Sequence, residues 1–277
     1  MAEQPAAFEQ VEIAGVKIEL ARAGDGPTLL FLHSVDGVDP GSQWFRLLAQ
    51  RFHVIAPWHP GFGHSELPGD RFRDVGDLAL FYLELVHELE IRDAVLMGAS
   101  FGGWLAAEVA VRSTSAFTHL VLADALGIKV GDRESRDVAD VFAISQEELT
   151  ARAYHDPGRR TRDYSTMSDR DLLGIARSRE AYAYFGWKPY MHDPTLRPWL
   201  RRVRIPSLVL WGESDGIVTP DYGRAYAAAI PGARFELVEQ AGHYPHVEQP
   251  ERVVELVTAF AHPDSALAGV GSTSEER

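Results

Sequence analysis

The chain has 277 residues, 45% apolar and 24% charged, close to the soluble globular norm of about 45–50% and about 25%, which excludes a disordered or collagen-like chain. Its 27 basic and 40 acidic residues leave a net charge of −13, and a surface this acidic repels phosphate backbones and anionic lipid, so neither nucleic acid nor a membrane is expected as a partner. There is no cysteine, which removes a thiol nucleophile, a thiolate metal site and any disulfide.

At roughly 150 residues per domain the length suggests about two, but an open α/β fold of this size can form one. No apolar run reaches the roughly 18 residues of a membrane span. Met1-Ala2-Glu3-Gln4-Pro5 has neither the basic start nor the apolar core of a signal peptide. A cytoplasmic location is the expectation, and no feature of the sequence sets an oligomeric state.

Residues 8–23 alternate around Ile13-Ala14-Gly15-Val16 and predict a hairpin. Short apolar runs follow at 28–32, 53–57, 93–98, 119–124, 207–212 and 234–238. Runs apolar at every position suit strands buried on both faces, as in a parallel sheet. Helical stretches lie between them. Residues 77–90 carry Leu78, Phe81, Leu85 and Leu89 at spacings of three and four. Residues 104–112, 222–229 and Pro250–Ala261 are three more, with Pro250 suited to a first helical turn. Strands alternating with helices predict a mostly parallel α/β sheet covered on both faces.

Residues 127–204 break this rhythm. They are charged, contain no buried-strand run, and offer helices at 137–142 and 146–154. An insertion there, between two strands, sits over the strand C-termini, where open α/β sheets bind ligands. At least two of its five aromatics Tyr182, Tyr184, Phe185, Trp187 and Tyr190 are expected to line a substrate pocket; with Trp199 they also suit a small core of the insert's own, and both can hold at once. Residues 263–277 are small and polar and read as a disordered tail.

The sharpest chemical signal is Gly98-Ala99-Ser100-Phe101-Gly102, with a strand before it and a helix after. That context lifts a serine to the tip of a tight turn and leaves the first helical N–H groups free to hold an oxyanion. A structural serine in an ordinary turn is the bland alternative. A nucleophilic serine needs a base, and the base an orienting acid. Asp215 follows the strand ending at Trp211-Gly212, and His243 follows the next strand. All three therefore emerge at one sheet edge, in the order serine, acid, histidine. Glu213 and Asp124 are competing acids, Asp124 being better read as a strand-end cap. His246, His33 and His59 read as packing residues.

On these residues the chain resembles the α/β-hydrolase superfamily, over about residues 11–261. Gly98-Ala-Ser-Phe-Gly-Gly103 looks like the nucleophile elbow and Trp211-Gly-Glu-Ser-Asp215 with Pro220 like the acid loop. Gly242-His-Tyr-Pro245 with Glu248 and Pro250 looks like the histidine loop, and Pro60-Gly-Phe-Gly-His-Ser65 like the loop after strand four. The resemblance implies a mostly parallel sheet of about eight strands, a core of residues 1–126 and 205–262, a helical cap of 127–204, and no metal or organic cofactor. Serine at the nucleophile position argues against the dehalogenase and epoxide-hydrolase branches.

Two positions depart from the family pattern. His33-Ser34 stands where His-Gly is usual, and Trp58-His59 where an Asp is usual. By position Phe101 and Val35 supply the oxyanion N–H groups, with Ser34 as the alternative to Val35. The implied function is a serine hydrolase of a small, largely apolar carbonyl substrate, with ester hydrolysis ahead of carbon–carbon hydrolysis of aromatic-degradation diketones. A non-catalytic ligand-binding protein on the same scaffold and cofactor-free perhydrolysis are the remaining alternatives.

Overall fold

The fold is taken from a computed structural model, which describes residues 8–132, 134–159 and 163–262. The expected tail at 263–277 lies outside these residues. Strands β1 (Phe8–Ile13) and β2 (Val16–Ala23) form the anticipated hairpin, with Ile13 opposite Val16. Ala14 and Gly15 both have positive φ, 48° and 74°, the backbone that matches a two-residue turn to the strands' twist. The chain then alternates through β3 (Thr28–Leu32), α1 (Gln43–Ala49), β4 (His53–Pro57), α2 (Val75–Glu88), β5 (Ala94–Ala99), α3 (Phe101–Arg112) and β6 (Phe117–Ala123). After an insertion come β7 (Ser207–Gly212), α7 (Pro220–Ala229), β8 (Arg234–Val238), α8 (Pro245–Glu248) and α9 (Pro250–Ala261).

Among the described residues eight strands form one sheet, in the order β1-β2-β4-β3-β5-β6-β7-β8. The pairs β1–β2 and β2–β4 are antiparallel and the rest parallel. From β3 to β7 both faces are covered, which is why those runs are apolar on consecutive positions. In β3, Leu30 and Leu32 face the core under α2, α3 and α7, whereas Leu29 and Phe31 face the core under α1 and α9. Each such buried side chain contributes roughly 1.5–3 kcal/mol.

Helix starts differ from the sequence reading for a local reason. Helix α2 begins at Val75, because the Asp74 carboxylate accepts the Asp77 N–H at 2.9 Å and caps the first turn. Helix α1 was not anticipated. Ser42 caps it, its hydroxyl accepting from Phe45 N–H at 3.3 Å.

The insertion between β6 and β7 carries α4 (Gln146–Ala153), α5 (Asp169–Gly186) and the short α6 (Leu196–Trp199). The helix expected at 137–142 does not form. Asp137 instead accepts from Lys129 Nζ and from the Val130 and Gly131 N–H groups, and Ala139 N–H donates to Ile217 O, so these backbones are drawn into loops. The insertion lies against the strand C-termini. Ala153 O at the end of α4 accepts from His243 N–H at 2.8 Å, and Ser178 of α5 accepts from Gly63 N–H at 3.0 Å. Among the described residues no helix is long and apolar enough to cross a membrane.

The elbow depends on close backbone approach. A Cβ on Gly98 would lie 2.2 Å from Gly102 O and 2.6 Å from Gly102 C. Backbone cannot yield cheaply, so Gly98→Ala is expected to lower stability by about 2–3 kcal/mol. Urea unfolding should show this as a lower midpoint with an unchanged slope.

Candidate active site

Ser100 sits between the last residue of β5 and the first of α3, at φ 53° and ψ −116°. A non-glycine residue in such a region costs of order 1–3 kcal/mol and persists only where its surroundings hold it. Here Ser100 N–H donates to Ala123 O at 2.9 Å, and Ser100 O accepts from Trp104 N–H and Leu126 N–H. Serine at a helix N-cap usually turns its hydroxyl back onto the helix. Ser100 makes no such bond. Its Oγ lies 2.8 Å from His243 Nε2.

His243 Nδ1 lies 2.8 Å from Asp215 Oδ2. A carboxylate only accepts, so Nδ1 carries the proton and Nε2 accepts from the Ser100 hydroxyl. Asp215 Oδ1 is held by the N–H groups of Ile217 and Val218 at 2.8 and 3.0 Å. All three side chains are buried. Sequence positions 100, 215 and 243 thus meet in one hydrogen-bonded chain. Because the Nδ1 proton is committed to Asp215, His243 has no lone pair on that side for a metal.

The other candidates fall elsewhere. Glu213 is exposed. Asp124 is buried behind Asp215, and its Oδ1 accepts from Gly212 N–H at 2.9 Å. The His246 ring packs edge-on against Trp44 and Phe31. Sequence reading gave Glu248 no role beyond its motif. Its carboxylate accepts from Gly242, His155 and Asp156 N–H groups, tying the His243 loop to the segment after α4.

Residues 33–37 form the loop after β3. Ser34 O accepts from Gly37 N–H at 3.0 Å, and Ser34 Oγ accepts from Asp36 N–H at 3.3 Å. The Ser34 hydroxyl oxygen thus serves as an acceptor within the loop. Val35 lines the same cavity as Ser100 and His243. Among the described residues no acceptor takes the N–H of Val35 or of Phe101.

A stacked, buried histidine pair, 3.7 Å between ring centroids, supports this loop. His33 Nε2 accepts from His59 N–H, and His33 Nδ1 donates to Ser34 O. His59 Nε2 donates to His33 O, and its Nδ1 accepts from the Tyr82 hydroxyl. Every ring nitrogen is used with both rings neutral. Burial holds His33 down at about 4, and burial together with His33 holds His59 well below the usual histidine range.

Because the folded His33 value lies below the unfolded 6.5, the unfolded chain takes up the proton first. The His33 contribution is complete above pH 6.5 and is lost as pH falls toward 4. Relative to a His33→Asn variant, the wild type should lose roughly 3 kcal/mol across that window. Urea unfolding of both proteins at pH 7, 5.5 and 4.5 reads the difference.

A cavity of about 430 Å³ opens on Ser100 and His243. A second, of about 620 Å³, shares Val35, Gln146, Leu149, Arg179 and Tyr244 with it. Of the five cap aromatics singled out in the sequence, Tyr182 lines the cavity beside Ser100. Phe185 is buried against Phe101 and Phe62, beneath the site. Tyr184 and Trp187 are 49% and 61% exposed, and Tyr190 bonds through its hydroxyl to Ala139 O and Val141 N–H. Those three line neither of these cavities. The period of α5 explains it: of 182, 184, 185 and 187, only 182 and 185 are buried on the helix face toward the core. The apolar wall comes instead from Val141, Phe142, Ile144, Leu149 and Ile217, most of them in loops where no periodicity marks them.

Comparison with known proteins agrees with this architecture. The chain is 29% identical to a 2-hydroxymuconate semialdehyde hydrolase of Pseudomonas sp. (strain CF600), over 95% of this chain and 96% of that protein. It superposes on an esterase from Thermogutta terrifontis with a TM-score of 0.71 and 25% identity, covering 93% and 99% of the two chains. A meta-cleavage product hydrolase from Pseudomonas fluorescens IP01 gives a TM-score of 0.73 at 20% identity, covering 92% and 97%. The model of the Alpha/beta hydrolase family matches residues 29–256. The chain belongs to the alpha/beta hydrolase family.

Proposed function

We propose that the protein is a serine hydrolase of a small, largely apolar carbonyl substrate, a carboxylic ester in the first instance. The observation that carries this reading is the continuous chain Ser100–His243–Asp215, with both bonds at 2.8 Å. His243 takes the Ser100 proton as Oγ attacks the carbonyl carbon. The resulting oxyanion is received by the unused N–H groups of Phe101 and Val35. His243 then returns the proton to the leaving alkoxide, and water attacks the acyl-enzyme by the same route in reverse. The mostly aliphatic wall beside Ser100 suits an apolar acyl or alcohol group.

A second reading, hydrolysis of a carbon–carbon bond in a diketone from aromatic breakdown, is favoured by the near full-length likeness to a 2-hydroxymuconate semialdehyde hydrolase. A panel of short-chain esters, lactones and vinylogous diketones separates the two by kcat/KM. The ester reading expects the highest value on an ester, and a diketone at the top would replace it with the second reading. Tyr182→Ala should widen the pocket and shift preference toward bulkier acyl groups by about tenfold, with little change in phosphonate labelling of Ser100. An unchanged acyl-length profile would remove Tyr182 from the pocket-defining set.

A further inference from the structure

Three carboxyl groups stand behind His243, and two of them have a donor for each oxygen. Glu248 Oε1 accepts from Asp156 N–H, and its Oε2 from Gly242 and His155 N–H. Asp215 Oδ1 accepts from Ile217 and Val218 N–H, and its Oδ2 from His243. Asp124 is different. It is fully buried at φ 45°, just past β6, with its own N–H on Leu210 O. Its Oδ1 accepts from Gly212 N–H, but among the described residues no N–H or hydroxyl reaches its Oδ2.

A strand-end cap accounts for Oδ1 and leaves Oδ2 unexplained. A buried carboxylate oxygen with no donor is costly. The cost disappears if Oδ2 carries a proton, because an acceptor is beside it: Asp124 and Asp215 meet side chain to side chain, and one atom each of Asp124, Asp215 and His243 cluster within 4.8 Å.

We propose that Asp124 is a carboxylic acid whose O–H donates to the Asp215 carboxylate, making it a positioning residue for the Asp215–His243 pair. Burial, with the negative charge of Asp215 and then of Glu248 beside it, pushes Asp124 well above the usual carboxylate range. The titratable groups around it are Asp215 from the loop after β7, Glu248 from α8 and His243 from the loop after β8. Among the described residues no lysine or arginine forms an ion pair with it. The proton fixes one Asp215 rotamer, withdraws part of its charge, and tunes how strongly Asp215 stabilises the imidazolium formed during attack.

This inference rests on the serine-hydrolase reading for its kinetic consequences, but the protonation state can be measured without turnover. Asp124→Asn keeps an acceptor for Gly212 and offers an N–H to Asp215. It should hold kcat/KM within about threefold and leave the acid limb of the pH profile in place. Asp124→Leu removes the donor. It should lower kcat by about tenfold or more with KM little changed, and move the acid limb to higher pH because Asp215 regains full charge. Isotope-edited infrared spectra of wild type at neutral pH should contain a protonated-carboxyl stretch that is missing from Asp124→Asn.

Absence of that band, or an acid limb that moves to lower pH in Asp124→Asn, would mean a buried carboxylate and overturn the proposal. So would Asp124→Leu with unaltered kcat and pH profile. If Asp124→Leu does not fold, the Asn variant and the infrared band still decide. If the wild type turns over no substrate and resists phosphonate at Ser100, the hydrolase reading fails while the band continues to test Asp124.

Discussion

Ser100→Ala is expected to lower kcat by about 10⁴-fold or more, equivalent to about 5 kcal/mol of lost transition-state stabilisation. The alanine removes the atom that forms the acyl bond and leaves the oxyanion N–H groups and the cavity in place, so a residual rate above water should persist. The fold should survive. The lost hydroxyl bonds only His243, whose Nε2 still faces the cavity, and the backbone bonds that hold residue 100 at φ 53° do not involve the side chain. A stability change under about 1 kcal/mol is therefore expected, read from denaturant midpoints alongside the rates. Near wild-type turnover in a folded Ser100→Ala would make the serine a structural residue.

Asp215→Asn should cost about 10²- to 10⁴-fold in kcat, and the local bonds say why. The N–H groups of Ile217 and Val218 both point at one carboxylate oxygen. An asparagine keeps its carbonyl there and turns its amide NH₂ toward His243 Nδ1. The imidazole then has to accept at Nδ1 and carry its proton on Nε2, where it cannot take the Ser100 proton. The exposed Glu213 supplies the control: Glu213→Gln should leave kcat within about twofold. A reversed ranking, with Glu213 or Asp124 controlling the rate and Asp215→Asn silent, would relocate the acid.

The central sheet was legible because β3 to β7 carry consecutive apolar positions and are buried on both faces, as at Leu29 to Leu32, whereas the edge hairpin β1–β2 was legible from its alternation. Helix α9 was legible to the residue, from Pro250 to Ala261, since a proline at its first position and a strong apolar period mark it. Ser100, Asp215 and His243 could be picked out because each follows an apolar run that becomes a parallel strand, and parallel strands deliver their ends to one edge. What the sequence hid depends on side chains reaching across the chain. The His33–His59–Tyr82 support joins three segments through ring nitrogens, and Glu248 joins two loops through backbone N–H groups. The cap aromatics misled because composition counts rings without saying which way they point. Helix α5 sends Tyr182 inward and Tyr184 out to Phe72 O, two residues apart.

The most direct measurement is peptide mapping by mass spectrometry after exposure to a fluorophosphonate, in wild type, Ser100→Ala and His243→Ala. Activation of Ser100 by His243 predicts one adduct, on the peptide containing Ser100, absent from Ser100→Ala and formed far more slowly in His243→Ala. An adduct on another residue, or equal labelling in all three proteins, would contradict it.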